Sequence, residues 1–148
     1  MFPNAKGSEL FSIVATIDPA SVAVGTVTTS WVSVANFHAL VASIQTGALG
    51  TSATLDAKLQ QALDSSGTSA KDITGKSLVQ IVKATGDNKQ ALINVKPEEL
   101  DTVNGFGFVR LSITVGTAAS LAGAQILGVN PRYASADALN QAAVAQIV

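Results

Sequence analysis

Few side chains in this 148-residue sequence have the types or spacing that chemistry requires. The chain has no cysteine, and its one histidine, His38, opens an apolar stretch. A nucleophilic triad would need a serine on a Gly-x-Ser-x-Gly turn, which the sequence lacks, and a histidine-based metal site would need further ligands. We therefore interpret His38 as a structural residue and predict no enzyme, with no catalytic, metal or cofactor site.

Two groups of oxygen-bearing side chains need separate consideration. Residues 64–68, with Asp72 nearby, offer ligands that suit calcium, but they lack the spacing and closing glutamate of an EF-hand. Glu98, Glu99 and Asp101 form the densest acidic cluster, yet neighbours on one turn cannot face each other across a glycosidase cleft. We interpret the first group as a turn, with a bound cation as the alternative, and the second as the acidic start of a helical turn.

Arginine and aromatic residues give no nucleic-acid signature. We expect Arg110 to pair with an acid on a neighbouring strand or subunit, or to lie on a solvated face. The nearby Phe106 and Phe108 are predicted to fill the core, and the glycines at 105 and 107 lack the lysine and serine of a phosphate loop. Trp31 and Tyr133 are the aromatics that a carbohydrate-binding groove would use.

The composition restricts the class of partner. Charged residues make up 13% of the chain, against about 25% in ordinary globular proteins. The net charge of −1 argues against binding by phosphate neutralisation. No signal-peptide pattern and no long apolar run is present, so we expect a protein without a membrane partner. Such a low share of charged residues suggests that other proteins cover much of the surface of this protein.

The alternation of apolar and polar residues along the sequence predicts which secondary-structure elements carry the candidate residues named above. In residues 54–61, Leu55, Ala57 and Leu59 point one way and polar residues the other, which is typical of a strand with one wet face. Further strands are predicted at 27–34, 37–46, 77–83, 90–96, 106–115 and 119–129, with a first strand at 11–17 or 22–27. A hairpin turn is predicted at 85–88, and a helical turn at 97–101.

These segments predict an all-β fold, a jelly-roll-like antiparallel β-sandwich of about eight strands with a short C-terminal helix or arm. We divide the chain into an N-terminal arm at 1–10, a sandwich at 11–134 and a helical tail at 135–148. In the tail, the apolar residues Ala136, Leu139, Ala143 and Ile147 share one helical face. That face either packs on a neighbouring subunit or folds onto its own domain, unless the tail is frayed.

From Phe37 onward the sequence resembles small β-rich virion structural proteins of tailed bacteriophages and prophages. The resemblance covers about two thirds of the chain and consists of turn and strand landmarks. These are GALG at 47–50, ATLDAKL at 53–59, GTSAKDITGK at 67–76, INV at 93–95, ELD at 99–101, VR at 109–110, TVG at 114–116 and LGVNPRY at 127–133.

The resemblance implies a non-enzymatic virion protein, either a head decoration protein or the base of a vertex spike or fibre. It implies assembly in the host cytoplasm and a final location in the virion. The expected partners are the major capsid protein or other virion proteins, together with further copies of this chain. The alternative function is a carbohydrate-type ligand-binding β-sandwich on a virion or cell surface.

Overall fold

Ten β-strands carry the architecture in a computed structural model, which describes residues 4–148. The predicted N-terminal arm therefore lies partly outside the described residues. The strands are β1 Phe11–Val22, β2 Gly25–Thr28, β3 Val32–Ser33, β4 Phe37–Thr46, β5 Thr54–Ala62, β6 Lys71–Ser77, β7 Ile81–Val82, β8 Gln90–Val95, β9 Phe108–Gly116 and β10 Ser120–Pro131. A four-residue helix, α1 Lys83–Gly86, and the 3-10 turns Gly7–Glu9, Pro97–Glu99, Thr102–Asn104 and Ala136–Leu139 connect or flank them.

The strands form two antiparallel sheets whose order defines a jelly roll. One sheet has the order β1-β10-β4-β8, and the other has the order β2-β9-β5-β6, with the short β3 and β7 pairing β9 and β5. Apart from these short strands, every connection except β5–β6 passes from one sheet to the other. The prediction of a jelly-roll-like sandwich of about eight strands is confirmed.

The core lies between the two sheets and follows the predicted alternation. Leu55, Ala57 and Leu59 of β5 are at most 2% exposed. They pack in one cluster with β9 and with residues of the opposite sheet, which are Leu40, Ala42, Ile44, Ile93, Val95, Ala124 and Ile126. The alternation of side chains along the strands therefore separates a face buried in the core from an outer face. Among the described residues, no buried side-chain nitrogen or oxygen lacks a hydrogen-bond partner.

Three predicted local features are wrong. β1 continues through Asp18 and Pro19, since a register shift between Ile17 and Ala20 accommodates them as a bulge. The sequence predicts no strand directly before Ser77, yet residues 71–77 form the edge strand β6, which needs few apolar residues because it buries only Ile73. The hairpin at 85–88 does not exist, because β7 pairs with β5 and β8 with β4, in different sheets.

The C-terminal segment docks on its own domain, and its helix is limited to the 3-10 turn Ala136–Leu139. Ser12 Oγ donates to the Ala136 carbonyl oxygen, and Ala136 is fully buried. The Ile13 N–H donates to Asn140 Oδ1 over 2.7 Å, and the Ile13 carbonyl accepts from the Gln141 N–H over 2.8 Å. The prediction of a helix across 135–148 is therefore wrong in extent. None of the helices in the described part of the chain has the length and apolar character needed to cross a membrane.

Candidate interaction surfaces

The two outer faces of the sandwich differ in charge. The four strands of the β1-β10-β4-β8 sheet contain one charged residue, Asp18, whereas those of the β2-β9-β5-β6 sheet contain six. We call the outer side of the first sheet the uncharged face. We call the outer side of the second sheet the charged face; its side chains include Thr26, Thr28, Asp56, Lys58, Gln60, Asp72, Arg110, Ser112 and Thr114.

A chain of polar contacts crosses the charged face. Asp72 accepts from Lys58 Nζ over 2.7 Å and from Gln60 Nε2 over 2.8 Å, and the Lys58 hydrogen bond holds the pKa of Asp72 below its ordinary value. Arg110 Nε donates to Gln60 Oε1 over 2.9 Å, and its guanidinium lies 4.5 Å from the centre of the Trp31 ring. Arg110 is therefore linked to the carboxylate of Asp72 through Gln60, and it stacks on an aromatic face.

A shallow cleft of about 360 Å³ lies on the same charged face. Asp56, Lys58, Ser77, Ser112 and Thr114 supply its polar lining. A ligand rich in hydroxyl groups would find both hydrogen-bond donors and acceptors there. The cleft was not foreseeable from the sequence, because its lining residues come from β5, β9 and the end of β6, which are distant in sequence.

The uncharged face is built from outward residues of four strands that are distant in sequence. Its exposed apolar side chains include Phe11, Leu92 and Leu121, which are 42%, 60% and 48% exposed. The register places these with other apolar, hydroxyl and amide side chains, namely Ile13, Thr16, Ala39, Val41, Ser43, Gln45, Gln90, Asn94, Gln125, Leu127 and Val129. Covering this surface with another protein would desolvate almost no charge.

The predicted turn at 64–68 is closed by its own side chains. Asp64 accepts from the Ser66 N–H, the Thr68 N–H and Thr68 Oγ1 at 2.9, 3.1 and 2.6 Å. The Thr68 hydroxyl bond is the largest cause of the lowered pKa of Asp64. Asp72 belongs to the separate network on the charged face. Within residues 4–148, no three histidine, aspartate or glutamate side chains gather closely enough to hold a metal ion.

The acidic turn at 97–101 is tied to β6 by lysines. Glu99 Oε1 lies 2.8 Å from Lys76 Nζ, and Asp101 Oδ2 lies 2.5 Å from Lys71 Nζ. These lysine hydrogen bonds lower the pKa of each carboxyl group. The ion pairs join the loop after β8 to an edge strand of the other sheet. Sequence reasoning missed the pairs because it had not predicted β6.

The predicted aromatic residues do not form one platform. Trp31 is half-buried between Arg110 and the 64–68 turn, where a Cβ on Gly67 would lie 2.5 Å from its Nε1. Tyr133 is 82% exposed and follows β10 of the other sheet. Phe106 is buried as predicted, whereas Phe108 lies half-buried at the end of the charged face.

His38 is exposed at the start of β4. The hydrogen bonds and ion pairs found among the described residues do not include its side chain.

Comparisons with known proteins add similarity of fold. No protein-family model matches the chain, and no curated protein sequence matches it. Among solved structures, the chain is similar to a CBM4 structure at 15% identity and a TM-score of 0.40, covering 71% of this chain and 61% of that one. It is similar to CBM28, a non-crystalline cellulose specific carbohydrate-binding module, at 11% identity and a TM-score of 0.44, covering 88% and 90%.

Virus structures are also among the similar solved structures. The Triatoma virus structure matches at 13% identity and a TM-score of 0.43, over 90% of this chain and 70% of that one. The assignment of the chain as an all-β jelly roll rests on the strand order itself.

Proposed function

We propose that this chain is a non-enzymatic structural protein of a tailed-bacteriophage virion that assembles on the head as a decoration or vertex protein. The uncharged face is the observation that carries the proposal, because a surface of this kind is stabilised when other protein covers it. The resemblance of the sequence to phage virion proteins supplies the setting. The partners are the major capsid protein or other virion proteins, and further copies of this chain.

The dimensions of the uncharged face suit such an interface. Four strands spaced by about 4.8 Å, with about 3.4 Å per residue along ten-residue β4, give roughly 650 Å². A stable protein–protein interface buries about 800 Å² on each partner. A face of this order can carry a specific interface, and repetition around a particle turns contacts of modest affinity into stable attachment.

The direct test is the protein content of purified particles. Phage particles induced from cells that carry this gene are banded on a density gradient, and quantitative mass spectrometry measures the chain against the major capsid protein. A fixed stoichiometric ratio is expected across the particle band. Absence of the chain from infectious particles would overturn the proposal.

A pair of charge substitutions tests the surface that carries the proposal. Leu121→Lys places a charge on the uncharged face, and Thr28→Lys is the matched control at an exposed position on the charged face. We expect Leu121→Lys to lower incorporation into particles by about tenfold or more, which corresponds to about 1.4 kcal/mol. Thr28→Lys should incorporate like the original chain; equal incorporation of both variants would exclude the uncharged face.

The cleft on the charged face favours one second candidate, a carbohydrate-type binding module. This candidate predicts binding on a glycan array that Asp56→Ala weakens, because Asp56 lines the cleft. Tyr133→Ala, which changes an exposed aromatic beyond the other sheet, is the control and should leave binding unchanged. An array without signal would dismiss this candidate.

A further inference from the structure

The edges of the two sheets are protected to different degrees. Exposed edge strands invite pairing with other chains, and proteins usually protect them with charges, bulges, short length or a covering segment. The β1 edge is covered at Ile13 by the C-terminal segment and interrupted at Pro19. β6 carries Lys71, Asp72 and Lys76, and β2 is only four residues long.

β8 is the edge strand that lacks these protections. Its sequence, Gln-Ala-Leu-Ile-Asn-Val, contains no charge and no proline, and its pairing with β4 has no register shift. Among the described residues, its backbone hydrogen-bonds only within the ladder to β4. Gln90, Leu92 and Asn94 are all exposed. The other side of this strand is therefore open to a further strand.

The phase of the β4–β8 ladder identifies which backbone groups point outward. The Thr46 N–H donates to the Lys89 carbonyl over 2.9 Å, so these two residues form a hydrogen-bonded pair. Hydrogen-bonded and non-hydrogen-bonded pairs alternate along an antiparallel ladder. Ala91, Ile93 and Val95 thus bond inward to β4, whereas Gln90, Leu92 and Asn94 direct their N–H and C=O groups away from the sheet.

We propose that two copies of this chain pair through β8, antiparallel and related by a two-fold axis at Leu92. In this register Leu92 lies opposite Leu92 of the second copy, and Gln90 lies opposite Asn94 at both ends. Each of these pairs exchanges two backbone hydrogen bonds. The side chains match as well, with leucine against leucine and amide against amide.

The strand is complementary to itself, and this complementarity identifies a second copy as the occupant. Lys89 and Lys96 flank the strand and fall opposite Val95 and Asn88 of the second copy, so no lysine lies directly opposite another. A shift by two residues would place Leu92 opposite Gln90 or Asn94. The two-fold register also joins the two uncharged faces into one continuous surface of roughly 1300 Å².

This inference rests on the homo-oligomer in the proposed function and not on the virion setting. Sedimentation equilibrium of the full chain from micromolar to millimolar concentration should show a monomer–dimer equilibrium. Leu92→Pro removes the outward N–H and leaves the bonds to β4 intact, so it should raise the dimer dissociation constant by about tenfold or more. Leu92→Thr keeps the N–H and a good strand former but loses the leucine–leucine contact, so it should weaken the dimer less than Leu92→Pro does.

Cysteine cross-linking tests the register independently and does not require Leu92→Pro to fold. Because the chain has no cysteine, a single introduced thiol reports on one position. Leu92→Cys should form a disulfide-linked dimer under mild oxidation. Asn94→Cys, on the same face, should not, because its two copies are offset by four residues, or about 14 Å, and disulfides need Cα atoms within about 7 Å.

A chain that stays monomeric at millimolar concentration would overturn the β8 pairing. So would a folded Leu92→Pro variant that dimerises like the original, or equal cross-linking at Asn94 and Leu92. Each of these results leaves the virion role to be decided by the particle analysis. Conversely, a chain that dimerises through β8 but is absent from particles would refute only the virion role.

Discussion

Substitution of Gly128 by alanine tests the packing at the end of the sandwich where β10 meets β4. A Cβ on Gly128 would lie 2.5 Å from two atoms of the Phe37 ring, whereas ordinary contacts are 3.4–4 Å. Phe37 is 2% exposed, so its ring must move by about 1 Å within a closed environment. Overpacking of this kind costs about 1–3 kcal/mol. Replacing glycine by alanine also lowers the conformational entropy of the unfolded chain, which stabilises the fold by about 0.4–1 kcal/mol. We therefore expect the free energy of unfolding to fall by about 1–2 kcal/mol in total.

Chemical denaturation of a double-mutant cycle measures this effect. Phe37→Ala alone should cost about 3–5 kcal/mol. Combined with Gly128→Ala it should cost less than the sum, by about 0.5–3 kcal/mol, because the methyl group enters the vacated space. Gly107→Ala is the matched control, since nothing lies within 4 Å of its Cβ position and its φ is not left-handed. Additive energies for Gly128 and Phe37, or equal losses at Gly128 and Gly107, would refute the packing argument.

Two further predictions concern the tail and the carboxylates. Removal of residues 135–148 should lower the midpoint of thermal unfolding, because Ser12 and Ile13 lose their partners on the tail; an unchanged midpoint in calorimetry would show that the docked tail adds no stability. The free energy of unfolding should fall as the pH drops below about 4. Asp72 and Glu99 have lowered pKa values in the folded chain, so each stabilises it above the unfolded pKa and loses that contribution as the pH falls through the folded pKa. Asp72→Asn should flatten the pH dependence measured by urea unfolding, and a curve parallel to that of the original chain would contradict the role of Asp72.

The conformation of the C-terminal tail depends on contacts that its local sequence pattern does not reveal. An apolar stripe at helical spacing predicts a helix, but Asn140 and Gln141 bond to β1 at Ile13 in a segment that has already left helical geometry. The edge strand β1 provides hydrogen-bond partners for the tail, whereas in a helix the backbone groups of the tail would bond to one another. The partner is more than 120 residues away in sequence, so no local window contains it.

Edge strands are a second case in which the sequence pattern was insufficient. β6 buries only Ile73, and its Gly75 has a φ of +76°, so neither alternation nor strand propensity marks it. Its position is stabilised from outside by the ion pairs of Lys71 and Lys76 with the acidic turn. Those lysines and acids are visible in the sequence, but their pairing depends on how the chain passes between the sheets.

The sequence by itself determined the strand character of β4, β5 and β9 and the inward direction of residues such as Leu55, because side-chain alternation is a property of neighbouring residues. It also determined that charge is scarce. Only the tertiary structure decided that one outer face almost lacks charged residues, since that face brings together residues from Phe11 to Val129 through long-range strand pairing. The same pairing leaves β8 at an edge, a property that belongs to the sheet and that the local sequence of the strand does not encode.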